Sequence, residues 1–134
     1  MVARPFGSST GPVDAQVLLW ALAEPRRLPA PVRRLMESGD AEFHFSLGSI
    51  WEIAIKRSLG KLDFEPDLIA DTAEADGHLP LPILREHLSL VARLPWHHRD
   101  PFDRLLVAQS LAEPMALLTA DAALARYGPT VRGI

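Results

Sequence analysis

In the segment HHRDPFDRLLVAQ, residues 97–109, Asp100 and Asp103 stand ahead of an apolar run, among two histidines and two arginines. Asp-Pro-x-Asp has an ordinary explanation: an N-cap, a proline at the first helical position and a second acid near the positive helix end. Asp14 follows GPV and Asp121 closes LLTAD, each directly before a helical stretch, so each reads equally as a cap. Capping accounts for the residue type but not for a shared location. Glu52 is the only charge in SIWEIAI and shares a helical stripe with Gly48, Ile55 and Leu59. That places its carboxylate at the margin of the core, where it needs a partner. Two partners are open: an i,i+4 pair with Lys56 in the favourable orientation, or a metal ion. Carboxylates gathered on one edge repel one another unless a cation intervenes. A hard divalent ion such as Mg²⁺ or Mn²⁺ prefers an all-oxygen site. Its natural chemistry with such ligands is phosphodiester hydrolysis.

The elements that must position these acids alternate. AQVLLWALAE and PAPVRRLMESG read as helices, the second stopped by Gly39. EFHFS alternates as a strand, and LGSIWEIAIKRSLGK is a long helix capped by Ser46 and closed at Gly60. PDLIADTAEADG and REHLSLVARL are further helices on either side of the short extended HLPLPI. The helix from Pro101 follows, then MALLTAD as a strand, AALARYG as a short helix and TVRGI as a last strand. Strands separated by helices imply an α/β fold with a parallel sheet covered on both faces. Right-handed crossovers bring the strand C-termini to one edge, and ligand sites of open α/β sheets lie there.

The 134 residues suit one domain, and 48% hydrophobic content suits a compact core. The absence of cysteine excludes disulfides and thiolate metal sites and fits a cytoplasmic protein. No apolar stretch has the length of a membrane span, and MVARPFGSSTG lacks a signal-peptide core. A net charge of −3 is unlike that of a general nucleic-acid coat. Local basic residues remain: Lys56, Arg99 and Arg104 are candidates for backbone phosphate contacts, whereas Arg57 reads better as solvated or salt-bridged. His97 and His98, without a third histidine, read as surface residues or substrate contacts rather than ligands. Trp20, Leu22 and Trp51 read as core, with an apolar groove near the first helix as the alternative.

VLLWALAE, SIWEIAIKRSLGKL, HHRDPFDRLLVAQSL and LLTADAALARYG, in that order, resemble blocks of PIN-domain ribonucleases of the VapC toxin type. The resemblance runs from Asp14 to the C-terminus. It implies a three-layer sandwich, a mostly parallel sheet of about four to five strands between helices, over residues 1–134 as a single domain. It also implies that Asp14, Glu52, Asp103 and Asp121 are the catalytic, metal-binding acids, for Mg²⁺ or Mn²⁺, leaving Asp100 as the cap. The implied activity is endonucleolytic cleavage of RNA, and the implied partners are a cognate antitoxin and a second copy of the chain. The chain departs from the family at its start. SSTGPV replaces an apolar strand, so residues 1–13 read as a divergent or poorly ordered lead-in with a weakened first strand. Asp14-Ala15-Gln16 also lacks the hydroxyl usual after the first acid. That departure favours a rival of another class, a catalytically impaired PIN-like module that keeps its antitoxin or dimer contacts. An aspartyl-phosphate phosphatase would need a second aspartate two residues after Asp14, where Gln16 stands.

Overall fold

The computed structural model describes residues 9–134. Five strands form one all-parallel sheet in the order β3-β2-β1-β4-β5: β1 Ser9–Val13, β2 Glu42–Ser46, β3 Leu79–Leu81, β4 Ala116–Thr119 and β5 Val131–Gly133. The helices are α1 Ala15–Ala23, α2 Ala30–Ser38, α3 Leu47–Ser58, α4 Pro66–Ala75, α5 Arg85–Arg93 and α6 Pro101–Ala112. Short 3₁₀ turns cover Pro25–Arg27 and Ala122–Tyr127, the latter where the sequence suggested an ordinary helix.

Both sheet faces are covered, which gives the expected three layers. Leu117 and Leu118 are adjacent on β4 and both fully buried, yet they pack into different clusters. Leu118 joins Val17, Leu18, Phe45 and Ile53 on one face. Leu117 joins Leu106, Val107, Leu124 and Val131 on the other. Alternating side chains on a pleated strand require this, and burying a leucine contributes about 1.5–3 kcal/mol.

The weak-looking lead-in contains the middle strand of the sheet. Residues 1–8 of that lead-in lie outside the described residues; residues 9–13 form β1, hydrogen-bonded to β2 on one side and β4 on the other. Thr10 pairs with Phe43 and Val13 with Phe45, so β1 carries one extra residue in a bulge. Gly11 sits in that bulge at φ +143°, a region side chains avoid, and a Cβ there would lie 2.6 Å from His44 Cβ. The glycine that weakens β1 on propensity grounds is what lets the backbone pass β2. Pro12, which lacks an N–H, is tolerated in the same irregularity.

Local chemistry sets the helix starts around the site. Ser46 Oγ accepts from Gly48 N–H (2.9 Å) at the head of α3. Asp100 Oδ1 accepts from the N–H groups of Phe102 (2.8 Å) and Asp103 (3.0 Å) at the head of α6, as the Asp-Pro-x-Asp pattern predicts. A Cβ on Gly48 would come within 2.6 Å of Leu105 Cδ2, so the glycine permits close approach of α3 to α6. That contact sets Glu52, one turn along α3, against Asp103. Among the described residues, no helix is long and apolar enough to cross a membrane.

Candidate functional site

The strand order reverses between β1 and β4, the topological position at which parallel sheets open a crevice. Asp14 follows β1 there and is buried. Its Oδ1 accepts from Val17 N–H (2.7 Å), the predicted cap. Its Oδ2 accepts from the Thr119 hydroxyl (2.6 Å) and from Ala120 N–H (2.9 Å), so the first turn of α1 and the end of β4 orient it from two sides. Thr119 Oγ1 in turn accepts from Asp121 N–H (3.0 Å). Asp121 caps its 3₁₀ turn through Oδ1 to Ala123 N–H (3.0 Å), leaving Oδ2 turned toward His98 Nε2 (2.8 Å). Ser49 Oγ, on α3, donates to Val13 O (3.4 Å) and ties that helix to the end of β1.

Glu52 and Asp103 have no cap to make. Glu52 is buried and paired with Lys56 Nζ at 2.8 Å. The Asp103 side chain is 19% exposed, and among the described residues no hydrogen bond reaches its carboxylate; His98 Nε2 lies 3.8 Å away. Asp14, Glu52, Asp103 and Asp121 line one cavity of about 440 Å³, together with Asp100 and, among the described residues, a single cation, Lys56. The electrostatic cost shows on Asp103, whose pKa is pushed up to about 7. Burial is the largest cause, followed by the charges of Asp100, Asp14 and Glu52, with His98 acting against them. Lys56 is raised above the ordinary lysine value, chiefly by its hydrogen bond to Glu52.

A hard divalent ion fits this donor set. Among the described residues the cavity's anionic oxygens outnumber its cations, and at least one carboxylate lacks any donor. Ligand atoms of Asp103, Asp121 and His98 lie within 4.8 Å of one another. A second trio, Glu86, His87 and Glu113, is as close. There His87 Nδ1 accepts from Leu84 N–H (3.0 Å), so the ring proton sits on Nε2 and is shared with Glu113 (2.7 Å). That arrangement caps α5 and leaves no lone pair for a metal.

The family model of the PIN domain matches residues 13–128. The chain belongs to the PIN-domain family. PIN domains are generally nucleases. Among solved structures, the chain is similar to a chain of VapBC2 from Rickettsia felis, crystallised with a DNA fragment from its promoter. The TM-score is 0.64 at 11% identity, covering 90% of this chain and 96% of that one, which is a likeness of fold. No curated protein matches the chain.

Several residues of this PIN domain behave differently from their sequence reading. Arg104 is no phosphate contact, because it is 3% exposed and its guanidinium is engaged inside the protein. It donates to Pro95 O (2.9 Å), Val91 O (3.0 Å) and Tyr127 Oη (3.1 Å) and stacks on Trp96 at 3.9 Å. A charged residue beside an acidic segment suggested a ligand contact; carbonyls brought close by tertiary packing claimed it instead. Arg57 pairs with Asp63 (3.0 Å) and Glu65 (3.3 Å), as its salt-bridged reading has it. Arg99 is exposed beside the cavity residue Asp100, and Lys56 lines the cavity. Trp51, read as core, is 55% exposed and packs edge-on against Phe102 at 4.9 Å, whereas Trp20 packs partly buried against the core. The sequence reading missed Thr119 and set His98 aside as a surface residue or substrate contact. A threonine two residues before an acid, and a histidine two before a capping aspartate, were the available signals.

Proposed function

We propose that this PIN domain is a Mg²⁺- or Mn²⁺-dependent endoribonuclease and the toxin of a toxin–antitoxin pair, with Asp14, Glu52, Asp103 and Asp121 as its catalytic acids. The observation that carries the reading is Asp103: a largely buried carboxylate without a hydrogen-bond donor, sharing one cavity with four other acids. Family membership supplies the reaction class, the sequence resemblance supplies RNA as the substrate, and the cysteine-free composition supports a cytoplasmic setting. When bound, the ion supplies a water of lowered pKa and stabilises charge on the phosphate oxygens.

The chain's own residues do the positioning. Asp14 is held by Val17, Thr119 and Ala120 so that its carboxylate keeps one orientation. Glu52 is held toward the cavity by Lys56, whose ammonium is also the cation nearest to an incoming phosphate. Arg99, exposed and next in sequence to the cavity residue Asp100, is a second backbone contact that positions a strand without reading its sequence. The scheme does not use the ribose 2′-hydroxyl, so products carry 5′-phosphates.

Antitoxin binding is supported by the fold shared with a chain of the VapBC2 structure and by the excess of acids at the cavity, which suits a basic side chain from a partner. Homodimerisation is supported by exposed apolar residues on α3, Leu47 (43%) and Trp51 (55%). The deciding experiment incubates purified protein with structured RNA, with and without Mg²⁺ or Mn²⁺, beside Asp103→Asn. Cleavage that needs the ion, leaves 5′-phosphates and disappears in the variant supports the proposal. Cyclic 2′,3′-phosphate ends refute the mechanism, and intact RNA with retained antitoxin binding identifies a silent module.

A further inference from the structure

His98 contacts two of the cavity's acids, Asp121 and Asp103, and the residue is held through its backbone N–H and both ring nitrogens. Its backbone N–H donates to Tyr127 Oη (3.1 Å), which itself donates to Pro95 O (2.8 Å) and accepts from Arg104, so the segment carrying the ring is anchored to the buried guanidinium. Its Nδ1 accepts from Asp100 N–H (3.1 Å). Its Nε2 faces Asp121 Oδ2 at 2.8 Å and Asp103 Oδ2 at 3.8 Å.

These contacts decide what the ring can do. An N–H pointed at Nδ1 requires a lone pair on that nitrogen, so the neutral ring carries its proton on Nε2. Ligation of a metal through Nε2 would move that proton to Nδ1, where it would meet the Asp100 N–H head-on. The same aspartate that caps α6 therefore fixes the tautomer of His98.

We propose that His98 is a positioning residue for the cation site, donating from Nε2–H to Asp121 Oδ2 and holding that carboxylate toward Asp103 without itself ligating the ion. The inference rests on the functional reading above, in which these acids bind a divalent ion. It adds a residue outside the four acids, and it removes a ligand that distance alone would assign. Hydrogen-bond partners of ligating carboxylates typically change metal affinity by about 10–100-fold when removed.

The test uses the full chain and Mn²⁺ alone as the probe. Long-range ¹H–¹⁵N correlation spectra of the metal-free protein are expected to show His98 in the Nε2–H tautomer. Calorimetric titration is expected to show Mn²⁺ binding about 10–100-fold weaker in His98→Ala, with most of the loss recovered in His98→Gln, whose amide N–H reaches the same position. Electron spin-echo spectra of the Mn²⁺-loaded wild type are expected to lack a directly coupled histidine nitrogen. An Nδ1–H tautomer, unchanged affinity in a folded His98→Ala, or a directly coupled nitrogen each overturns the inference while leaving the nuclease reading intact. A wild-type protein that binds no Mn²⁺ removes the nuclease reading, and this inference with it.

Discussion

Asp103→Asn is expected to make the metal-free protein more stable while abolishing its metal-dependent chemistry. The carboxyl ionises near 3.8 in the unfolded chain but near 7 in the folded one, so ionisation favours unfolding. The sign follows directly. Below about pH 4 the group is protonated in both states and contributes no difference; from there to about pH 7 stability falls as pH rises, and above that the penalty is constant. At about 1.4 kcal/mol per pKa unit the ceiling is about 4 kcal/mol. The 19% exposure of the side chain and relaxation around its charge bring the expected gain in the asparagine variant to about 1–3 kcal/mol. For a chain of this size each kcal/mol moves Tm by roughly 3–5 °C. Urea and thermal melts of both proteins in a chelator, at pH 5 and pH 8, measure the effect. The variant's advantage at pH 5 should be less than half that at pH 8. Millimolar Mg²⁺ should then stabilise the wild type alone, because binding to the native state shifts unfolding by mass action. An Asp103→Asn protein that melts below the wild type at pH 8, or a difference independent of pH, would refute the account of an uncompensated carboxylate.

Other substitutions probe separate parts of the argument. Arg104→Met should lower stability by about 1.5–3 kcal/mol in urea melts, because it removes the charged donor shared by Val91 O, Pro95 O and Tyr127 Oη; unaltered stability with weakened RNA binding would restore the phosphate-contact reading. Gly11→Ala should cost about 3 kcal/mol or more, since its Cβ meets the backbone of His44 and its φ is unfavourable, and a melt equal to wild type would contradict the bulge geometry. Thr119→Val should cost about 1–2 kcal/mol and weaken Mn²⁺ binding by about tenfold in calorimetry, through loss of the 2.6 Å bond to Asp14; equal affinity would show that the two backbone donors suffice.

What could be read from the chain tracks the range of the interactions involved. The α6 start at Asp100-Pro101, the Ser46 cap and the alternation of EFHFS are local, and each lies where the sequence puts it. The convergence of Asp14, Glu52, Asp103 and Asp121 on one edge was also legible, because βα order and crossover handedness dictate that edge. Propensity failed at β1, where Gly11 answers to the backbone of β2 rather than to strand statistics. It failed again at Arg104 and His98, whose partners lie far along the chain at Val91, Tyr127 and Asp121. Trp51 misled because an aromatic residue on an apolar helix stretch has no local mark of which face it takes.

The central place of β1 gives this protein an unusual order of completion. The Thr119 and Ala120 donors of Asp14 are 105 and 106 residues away along the chain, on and just after the strand that fills the neighbouring slot in the sheet. A chain cut short of Thr119 keeps only the Val17 N–H on the first acid and lacks the last acid altogether. The proposed site is thus complete only once β4 stands beside β1, so its assembly is as long-range as the sheet itself.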